Sequence, residues 1–402
     1  MAFVLFTFPL GRLQENLLGG LTVPKLILPF LCLLLFAFRA GKISMHPHLP
    51  YFLLFAVLTT PSLLFNYDEF SGILLNLTGY AVLFLVVYNG LSSIRELRKI
   101  LLSYLFGLTL ISSVVVLACF TEYDFGESFD RPFVENWYGL PVILGTEDNP
   151  GAFATFFVSG LPIAFMFFLT TKNTLTKIGI ALICVLFFAL VVSTFSRSAI
   201  IGGVLGCLLL FYYRRKRKTI SLRLLSLLFF FAVIVINISF VFYLVMDFAT
   251  GDVGLSEVNS VASNKENSQS VRLLVLEHFL PIIAENPFFG VGYGNLSGIM
   301  EEMTGYRVNA HNIFLGVAVE FGLIALFFFC MVILLSMRCM TFAITLAENR
   351  TDRLTLGCVF ASLSGLLFHG MFHEIYVNMM LWFFVALGAG LRHLKRGSYY
   401  GH

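Results

Sequence analysis

Three ionisable residues, Arg197, Arg272 and His311, lie beside long apolar segments and could together perform group-transfer chemistry. A guanidinium group is always charged and binds phosphate through paired hydrogen bonds, so two arginines suit a diphosphate. An imidazole can accept a proton near neutral pH and can therefore activate a hydroxyl group. If the three residues meet, the combination suits transfer of a group away from a lipid diphosphate.

Each of the three residues also has an ordinary structural interpretation. Arg197 follows Phe195 and Ser196 in a tight turn between two apolar runs, where it could snorkel and anchor a helix, although an ionisable group at the membrane boundary is costly. Arg272 could be an exposed loop residue, although a cation at a helix start opposes the macrodipole. His311 could be a hydrogen-bonded residue at a helix start. These alternatives stay open from the residues alone.

The composition indicates what kind of protein must position these residues. Of 402 residues, 58% are hydrophobic and 12% are charged, and Phe alone contributes 46. Soluble proteins contain about 25% charged residues, so this composition excludes a soluble enzyme, a nucleic-acid binder, a disordered chain and a secreted disulfide scaffold. The apolar runs are about 17–25 residues long and do not alternate, which predicts membrane-spanning helices. The expected fold class is an all-α polytopic membrane protein.

The apolar runs predict about eleven spans, and residues 1–19 form a short, glycine-interrupted twelfth candidate. The predicted spans are residues 21–38, 49–65, 71–90, 101–120, 151–170, 177–193, 197–213, 223–246, 312–337, 354–371 and 375–391. The long loop 247–311 contains a mostly apolar piece, Val271–Glu285, which favours an amphipathic helix at the membrane interface.

The charge pattern predicts the orientation of the spans. One set of loops, with the adjoining helix ends, collects 19 of the 26 Lys and Arg residues and only three acidic residues. These loops are residues 39–48, 91–100, 171–176, 214–222 and 338–353, together with the C-terminus. The positive-inside rule puts this side in the cytoplasm. Arg197, Arg272 and His311 are then all expected on the outer side.

A glycine-rich motif and a histidine pair each allow several interpretations. The segment Gly290-Val291-Gly292-Tyr293-Gly294 resembles a potassium selectivity filter, but about eleven spans do not fit a two-span pore subunit. A turn whose backbone comes close to a ligand or another helix fits better. His369 and His373 are four residues apart, so one helix would present both on one face, and Glu374 follows. These residues could bind a metal, support the outer site or simply pack.

Glu320 is a further ionisable residue inside a predicted span. It follows His311 by nine residues, which is half a turn off in a helix, so the two side chains cannot share a face. Because a carboxylate within a membrane span needs a partner, Glu320 is expected to pair with a group on another segment.

Four stretches stand in the order and spacing of a known family. They are Gly-Thr-Glu-Asp-Asn-Pro-Gly-Ala-Phe-Ala (145–154), Ser-Thr-Phe-Ser-Arg-Ser (193–198), Arg272 followed by Asn-Pro-Phe-Phe-Gly-Val-Gly-Tyr-Gly-Asn (286–295), and His-Asn-Ile-Phe-Leu-Gly-Val-Ala-Val-Glu-Phe-Gly (311–322). This ordered set resembles the O-antigen ligase/polymerase family of bacterial envelope glycan assembly, mainly over residues 180–340.

The resemblance implies a GT-C-like protein of about twelve spans that acts as a metal-independent, inverting glycosyltransferase without a cofactor. The donor would be a glycan on undecaprenyl diphosphate, taken from the outer leaflet of the bacterial inner membrane. Carried onto this sequence, Arg197 and Arg272 would hold the diphosphate, and His311 would deprotonate the acceptor hydroxyl. Arg307 could add to the anion site, and Glu320 and His373 are possible secondary residues. The implied partners are the donor, a lipid or glycan acceptor and membrane lipids, without nucleic acid.

Three functional hypotheses follow. A ligase would move a finished glycan onto the lipid A-core of lipopolysaccharide or a similar acceptor, a polymerase would join two lipid-linked glycans, and the ligase is slightly favoured. A transporter of lipid-linked sugars should have charged residues through mid-membrane and symmetric halves, whereas the polar groups here crowd the outer side. The expected organisation is an N-terminal bundle (1–170), a catalytic region (171–345, with external loop 247–311) and C-terminal helices (346–402).

Overall fold

The computed structural model describes residues 48–63, 70–121, 133–135, 141–143, 149–214, 278–304, 309–376 and 378–391. Within these ranges the chain forms helices α1 (Leu49–Leu63), α2 (Phe70–Gly90), α3 (Ile94–Thr121), α4 (Pro150–Thr170), α5 (Thr174–Ser193), α6 (Arg197–Arg214), α7 (Asn295–Thr304), α8 (Ile313–Thr345), α9 (Arg350–Gly370) and α10 (Met379–Gly390). Residues 278–285 are also helical. Two three-residue strands, β1 (Phe133–Glu135) and β2 (Pro141–Ile143), pair antiparallel between α3 and α4.

Six of the described helices are long and apolar enough to cross a membrane: α3, α4, α5, α6, α8 and α9. The expected all-α polytopic class is therefore confirmed, and the chain is an integral membrane protein. Helices α4, α5 and α6 match their predicted spans to within three residues. The predicted spans 21–38 and 223–246, and the candidate 1–19, lie outside the described residues. The predicted interfacial helix Val271–Glu285 is described from residue 278, and that part is helical.

Helix α3 begins seven residues before the predicted span 101–120, because polar residues cap its first turn. The Ser93 hydroxyl accepts a hydrogen bond from the Glu96 amide, and the Glu96 carboxylate accepts one from the Ser92 amide. This reciprocal arrangement satisfies amide groups that a helix start otherwise leaves unpaired. The polar segment 94–99 thus belongs to the helix, not to the preceding loop.

Helix α9 lies at the centre of the described bundle and packs closely against α6. A Cβ atom built on Gly202 of α6 would lie 2.7 Å from the Gly365 carbonyl oxygen of α9, and the reverse distance is the same. Small residues allow helix backbones in membranes to approach this closely. Trp382 of α10 packs among the rings of Phe52 on α1, Tyr80 on α2 and Phe329 on α8.

Two sets of hydrogen bonds mark the two ends of the bundle. At one end, the Arg98 guanidinium donates to the hydroxyls of Thr170 and Thr355, each at 3.2 Å, joining the start of α3, the end of α4 and the start of α9. At the other end, the His369 ring lies within hydrogen-bonding distance of Ser198 and Gly151. Among the described residues, the helix ends that border the basic loops 91–100, 171–176 and 338–353 thus lie together, as the charge pattern predicts. We call the His369 end the outer end.

Candidate functional site

His311 lies immediately before α8, as the sequence predicts, at the same end of the bundle as His369. Its backbone has a φ of +46°, a left-handed conformation that few residues other than glycine adopt. The next residue, Asn312, caps α8 by accepting hydrogen bonds from the Phe314 and Leu315 amides. The His311 amide donates to the Glu374 carboxylate at 3.2 Å. The backbone that carries the imidazole is therefore fixed by α8 on one side and by a second segment on the other.

The second segment is the loop 371–378 between α9 and α10, and it changes one expectation. The prediction that His369 and His373 share a helix face is wrong, because α9 ends at Gly370 and His373 lies in the loop beyond it. The two rings are nevertheless neighbours, with centroids 5.3 Å apart. Within the described residues, no group of three or more His, Cys, Asp and Glu side chains has metal-binding geometry.

Burial determines the charge states in this loop. Burial, together with a smaller effect of the neighbouring His369 and His311 rings, lowers the pKa of His373 to about 3. Burial also raises the pKa of Glu374, although the amides of Ala310 and His311 donate to its carboxylate and oppose that shift. His373 is therefore neutral at physiological pH and cannot supply a positive charge to an anionic ligand.

Arg197 is the first residue of α6, and the turn before it is as tight as predicted. The turn contains three residues, and Phe195 at its centre adopts a left-handed φ of +53°. The Arg197 side chain is exposed. Because only three residues separate α5 from α6, the start of α6 is held at the outer end of the bundle.

A single buried imidazole links the Arg197 turn to the rest of the outer end. His369 Nδ1 lies 2.9 Å from the Ser198 hydroxyl on α6, and His369 Nε2 lies 3.0 Å from the Gly151 carbonyl oxygen on α4. Gly151 follows the helix cap Asn149 and the first-turn Pro150, and a Cβ atom on it would lie 3.3 Å from the His373 ring. The absence of a side chain at residue 151 therefore allows the His373 ring to approach α4.

The structure thus brings the start of α6 and the start of α8 to one end of the bundle, although they are more than a hundred residues apart in the sequence. The connection runs from Ser198 through His369 and His373 to His311. Arg272 and Arg307, the other predicted anion-binding residues, lie outside the described residues. Sequence reasoning missed Ser198 and Gly151, although both fall within stretches that carried the family resemblance.

Glu320 has the partner on another segment that the sequence predicts. It is only 5% exposed, the Tyr376 hydroxyl donates to one carboxylate oxygen, and the Gly294 amide donates to the other at 3.2 Å. Tyr376 belongs to the loop after α9, and Gly294 belongs to the glycine-rich turn. Glu320 therefore joins both segments to α8.

The glycine-rich turn packs directly on the backbone of α8, which confirms the close-approach interpretation. The Val291 and Gly292 amides donate to the Val319 and Glu320 carbonyl groups at 2.9 and 3.0 Å. Gly322 interrupts α8 with a φ of +84°, and the Leu323 amide donates to the Pro287 carbonyl instead of to its own helix. The turn also has positive φ at Gly290, where a side chain would overlap the Glu320 carbonyl group. The sequence did not predict this interruption of α8.

A stability measurement can test the role of the Glu320 contact. Tyr376→Phe removes a hydrogen bond to a buried carboxylate, so we expect it to destabilise the protein by about 1.5–3 kcal/mol. Tyr213→Phe is a matched control, because the buried Tyr213 hydroxyl has no hydrogen-bond partner among the described residues. Thermal unfolding in detergent should show a lower midpoint for Tyr376→Phe and an unchanged midpoint for Tyr213→Phe. Equal midpoints for the two variants would contradict the proposed role.

The described part of the chain is an α-helical integral membrane protein with polar and ionisable side chains gathered at one end. A family model described as O-antigen ligase matches residues 182–330, a range that includes Arg197, His311 and Glu320. This match confirms the predicted resemblance to the O-antigen ligase/polymerase family. No curated protein matches the chain.

Proposed function

We propose that this protein is a metal-independent, inverting glycosyltransferase that moves a glycan from undecaprenyl diphosphate to an acceptor hydroxyl. The observation that supports the proposal is that the Arg197 turn and the His311 turn lie at one end of the bundle, linked through His369 and His373. Both turns lie inside the range that the family model matches. The proposed site combines a guanidinium that suits phosphate with an imidazole that suits proton removal.

The proposed reaction has one bond-forming step. His311 accepts the proton of the acceptor hydroxyl, and the resulting oxygen nucleophile attacks the anomeric carbon of the donor sugar from the face opposite the diphosphate. The bond between the anomeric carbon and the phosphate oxygen breaks, and undecaprenyl diphosphate leaves with the electron pair. The configuration at the anomeric carbon is inverted because attack and departure occur on opposite faces.

Arg197 and Arg272 are the proposed ligands of the diphosphate, which gains charge as the glycosidic bond breaks. Arginine side chains stabilise such charge through fixed, paired donors. Arg307 is a further candidate for the same anion. His373 has a different proposed role, since its low pKa leaves it neutral: it packs beside His311 and keeps a positive charge away from the base.

We further propose that the outer end faces the periplasm and that the protein resides in the bacterial inner membrane. The concentration of Lys and Arg in the loops at the opposite end supports this orientation. Within the proposed activity, we favour a ligase that uses lipid A-core or a similar acceptor. The alternative is a polymerase that uses a second lipid-linked glycan as the acceptor.

One assay tests the function and separates these two alternatives. The purified protein receives an undecaprenyl diphosphate-linked oligosaccharide, together with either a lipid A-core acceptor or a second lipid-linked oligosaccharide. A ligase is expected to extend the lipid A-core, whereas a polymerase is expected to lengthen the lipid-linked chain. If the protein transports the lipid-linked donor across vesicle membranes but forms neither an extended lipid A-core nor a longer lipid-linked chain, the proposed glycosyltransferase activity is wrong.

Metal removal is a separate test of the proposed chemistry. Because arginines and an imidazole supply the anion binding and the base, transfer is expected to keep its full rate after treatment with excess EDTA and gel filtration. The rate is measured before and after treatment, and again after Mg²⁺ or Mn²⁺ is added. A rate that falls at least tenfold and returns with added metal would contradict the metal-independent mechanism.

A further inference from the structure

The buried ring of His369 connects three helices at the outer end through two hydrogen bonds. It belongs to α9, reaches the Ser198 hydroxyl on α6 at 2.9 Å and reaches the Gly151 carbonyl on α4 at 3.0 Å. The ring is fully buried, with an exposed fraction of 0%. No step of the proposed transfer uses this ring, so its placement needs a separate explanation.

The chemistry of the two partners determines how the hydrogens are arranged. A carbonyl oxygen can only accept, so His369 Nε2 carries a hydrogen and donates to Gly151. In the neutral ring, Nδ1 then has a free electron pair and accepts a hydrogen bond from the Ser198 hydroxyl. Each hydrogen bond therefore has a defined direction, and the Gly151 carbonyl group determines that the imidazole carries its hydrogen on Nε2.

The same chain of hydrogen bonds extends to the other side of Arg197. The Ser196 hydroxyl lies 3.5 Å from the Ser198 hydroxyl, which can accept from it while donating to His369. Ser196 and Ser198 are the two sequence neighbours of Arg197. The backbone from which the exposed Arg197 guanidinium extends is thus tied to α9 and, through the ring, to α4.

We infer that His369 is a positioning residue for Arg197: through Ser198 it holds the start of α6 where the guanidinium meets the donor diphosphate. This inference rests on the proposed function. A misplacement of about 1 Å in a substrate-binding group can cost a large factor in rate, so one hydrogen bond beside Arg197 should have a measurable effect on donor use. Acceptor use should not depend on it.

The first test removes only the Ser198 hydroxyl. We expect Ser198→Ala to raise the KM for an undecaprenyl diphosphate-linked oligosaccharide about fivefold, which corresponds to the loss of one ordinary hydrogen bond. The KM for the acceptor should stay at the wild-type value. Ser364→Ala is the matched control, since the buried Ser364 hydroxyl of α9 has no hydrogen-bond partner within the described ranges. It should leave both KM values unchanged.

The second test divides the two functions of the ring. An asparagine at this position keeps an acceptor near the place of Nδ1, whereas a glutamine keeps a donor near the place of Nε2. We expect His369→Asn to keep the KM for the lipid-linked glycan close to the wild-type value. We expect His369→Gln to raise that KM by the same factor as Ser198→Ala. The double variant Ser198→Ala/His369→Gln should be no worse than either single variant, because both remove the same bond.

The outcomes distinguish the inference from the proposed function. If the wild-type protein transfers glycan but Ser198→Ala keeps the wild-type donor KM, or if both KM values rise together, the positioning role is wrong and the function stands. Equal damage from His369→Asn and His369→Gln would likewise indicate general packing and overturn the role. If the wild-type protein transfers no glycan from the lipid diphosphate, both proposals fall. If the His369 variants do not fold, the KM values of Ser198→Ala alone test the positioning role.

Discussion

Replacing His311 is expected to abolish glycan transfer, with kcat lowered at least about 100-fold, because general base catalysis typically contributes that factor or more. Alanine alone is a poor test, since the left-handed φ of +46° at this residue would strain an alanine. His311→Asn is the sharper variant. Asparagine tolerates left-handed backbone and has no basic nitrogen, so it removes the base and leaves the turn intact.

The measurement is single-turnover transfer from the lipid-linked donor by variants that elute from gel filtration and unfold thermally as the wild type does. His278→Ala serves as the control, because His278 belongs to the helical segment 278–285 and has no assigned role. It should retain full activity. A His311→Asn variant with kcat within a few-fold of the wild type would remove His311 from the mechanism.

Replacing Arg197 with alanine is expected to lower kcat/KM for the donor about 10- to 100-fold, as the loss of a charge-assisted hydrogen bond to a diphosphate requires. Arg197→Lys should fall between the wild type and the alanine variant. Lysine keeps the positive charge but lacks the planar fork that binds phosphate oxygens in pairs.

Helix α6 itself offers the matched control for Arg197. Arg214 is the last residue of the same helix and is also exposed, and its guanidinium lies 5.7 Å from the centre of the Phe211 ring at the opposite end. Arg214→Ala removes the same side chain from the same helix without approaching the outer end. The transfer rate is measured at increasing concentrations of the lipid-linked donor and a saturating concentration of the acceptor. Arg214→Ala should then have the same kcat/KM for the donor as the wild type. An equal loss in both variants would show that Arg197 acts through net charge and does not bind the diphosphate.

The fold class and the approximate spans could be predicted because they depend on local properties of the chain. Apolar length identifies a span, so the predictions for 151–170, 177–193 and 197–213 lie close to α4, α5 and α6. The error at α3 has the same origin: the polar residues 94–99 suppress the apolar signal, although they form a capped helix start. Charge asymmetry between loops likewise predicted which helix ends lie together.

The candidate site was predicted in part. Residue chemistry singled out Arg197, His311 and Glu320, and the structure places the turns of the first two at one end of the bundle. The structure also corrects the prediction that His369 and His373 share a helix face. The four-residue spacing between them says nothing about where α9 ends. Apolar length placed that end correctly, because the predicted span 354–371 stops within one residue of Gly370; the error came from extending helical spacing beyond it to His373.

The sequence by itself determined a set of membrane helices with basic residues concentrated in alternate loops, because hydropathy and charge are properties of each segment separately. Only the tertiary structure determined which side chains meet. The His369 contacts join residues 171 and 218 positions apart, and Glu320 bonds to residues 26 and 56 positions away. Such pairs depend on how the segments pack, and glycines such as Gly202, Gly290 and Gly322 let their backbones come into contact. A local pattern can indicate a close approach, as the glycine-rich segment 290–294 did, but it does not specify which segment is the partner.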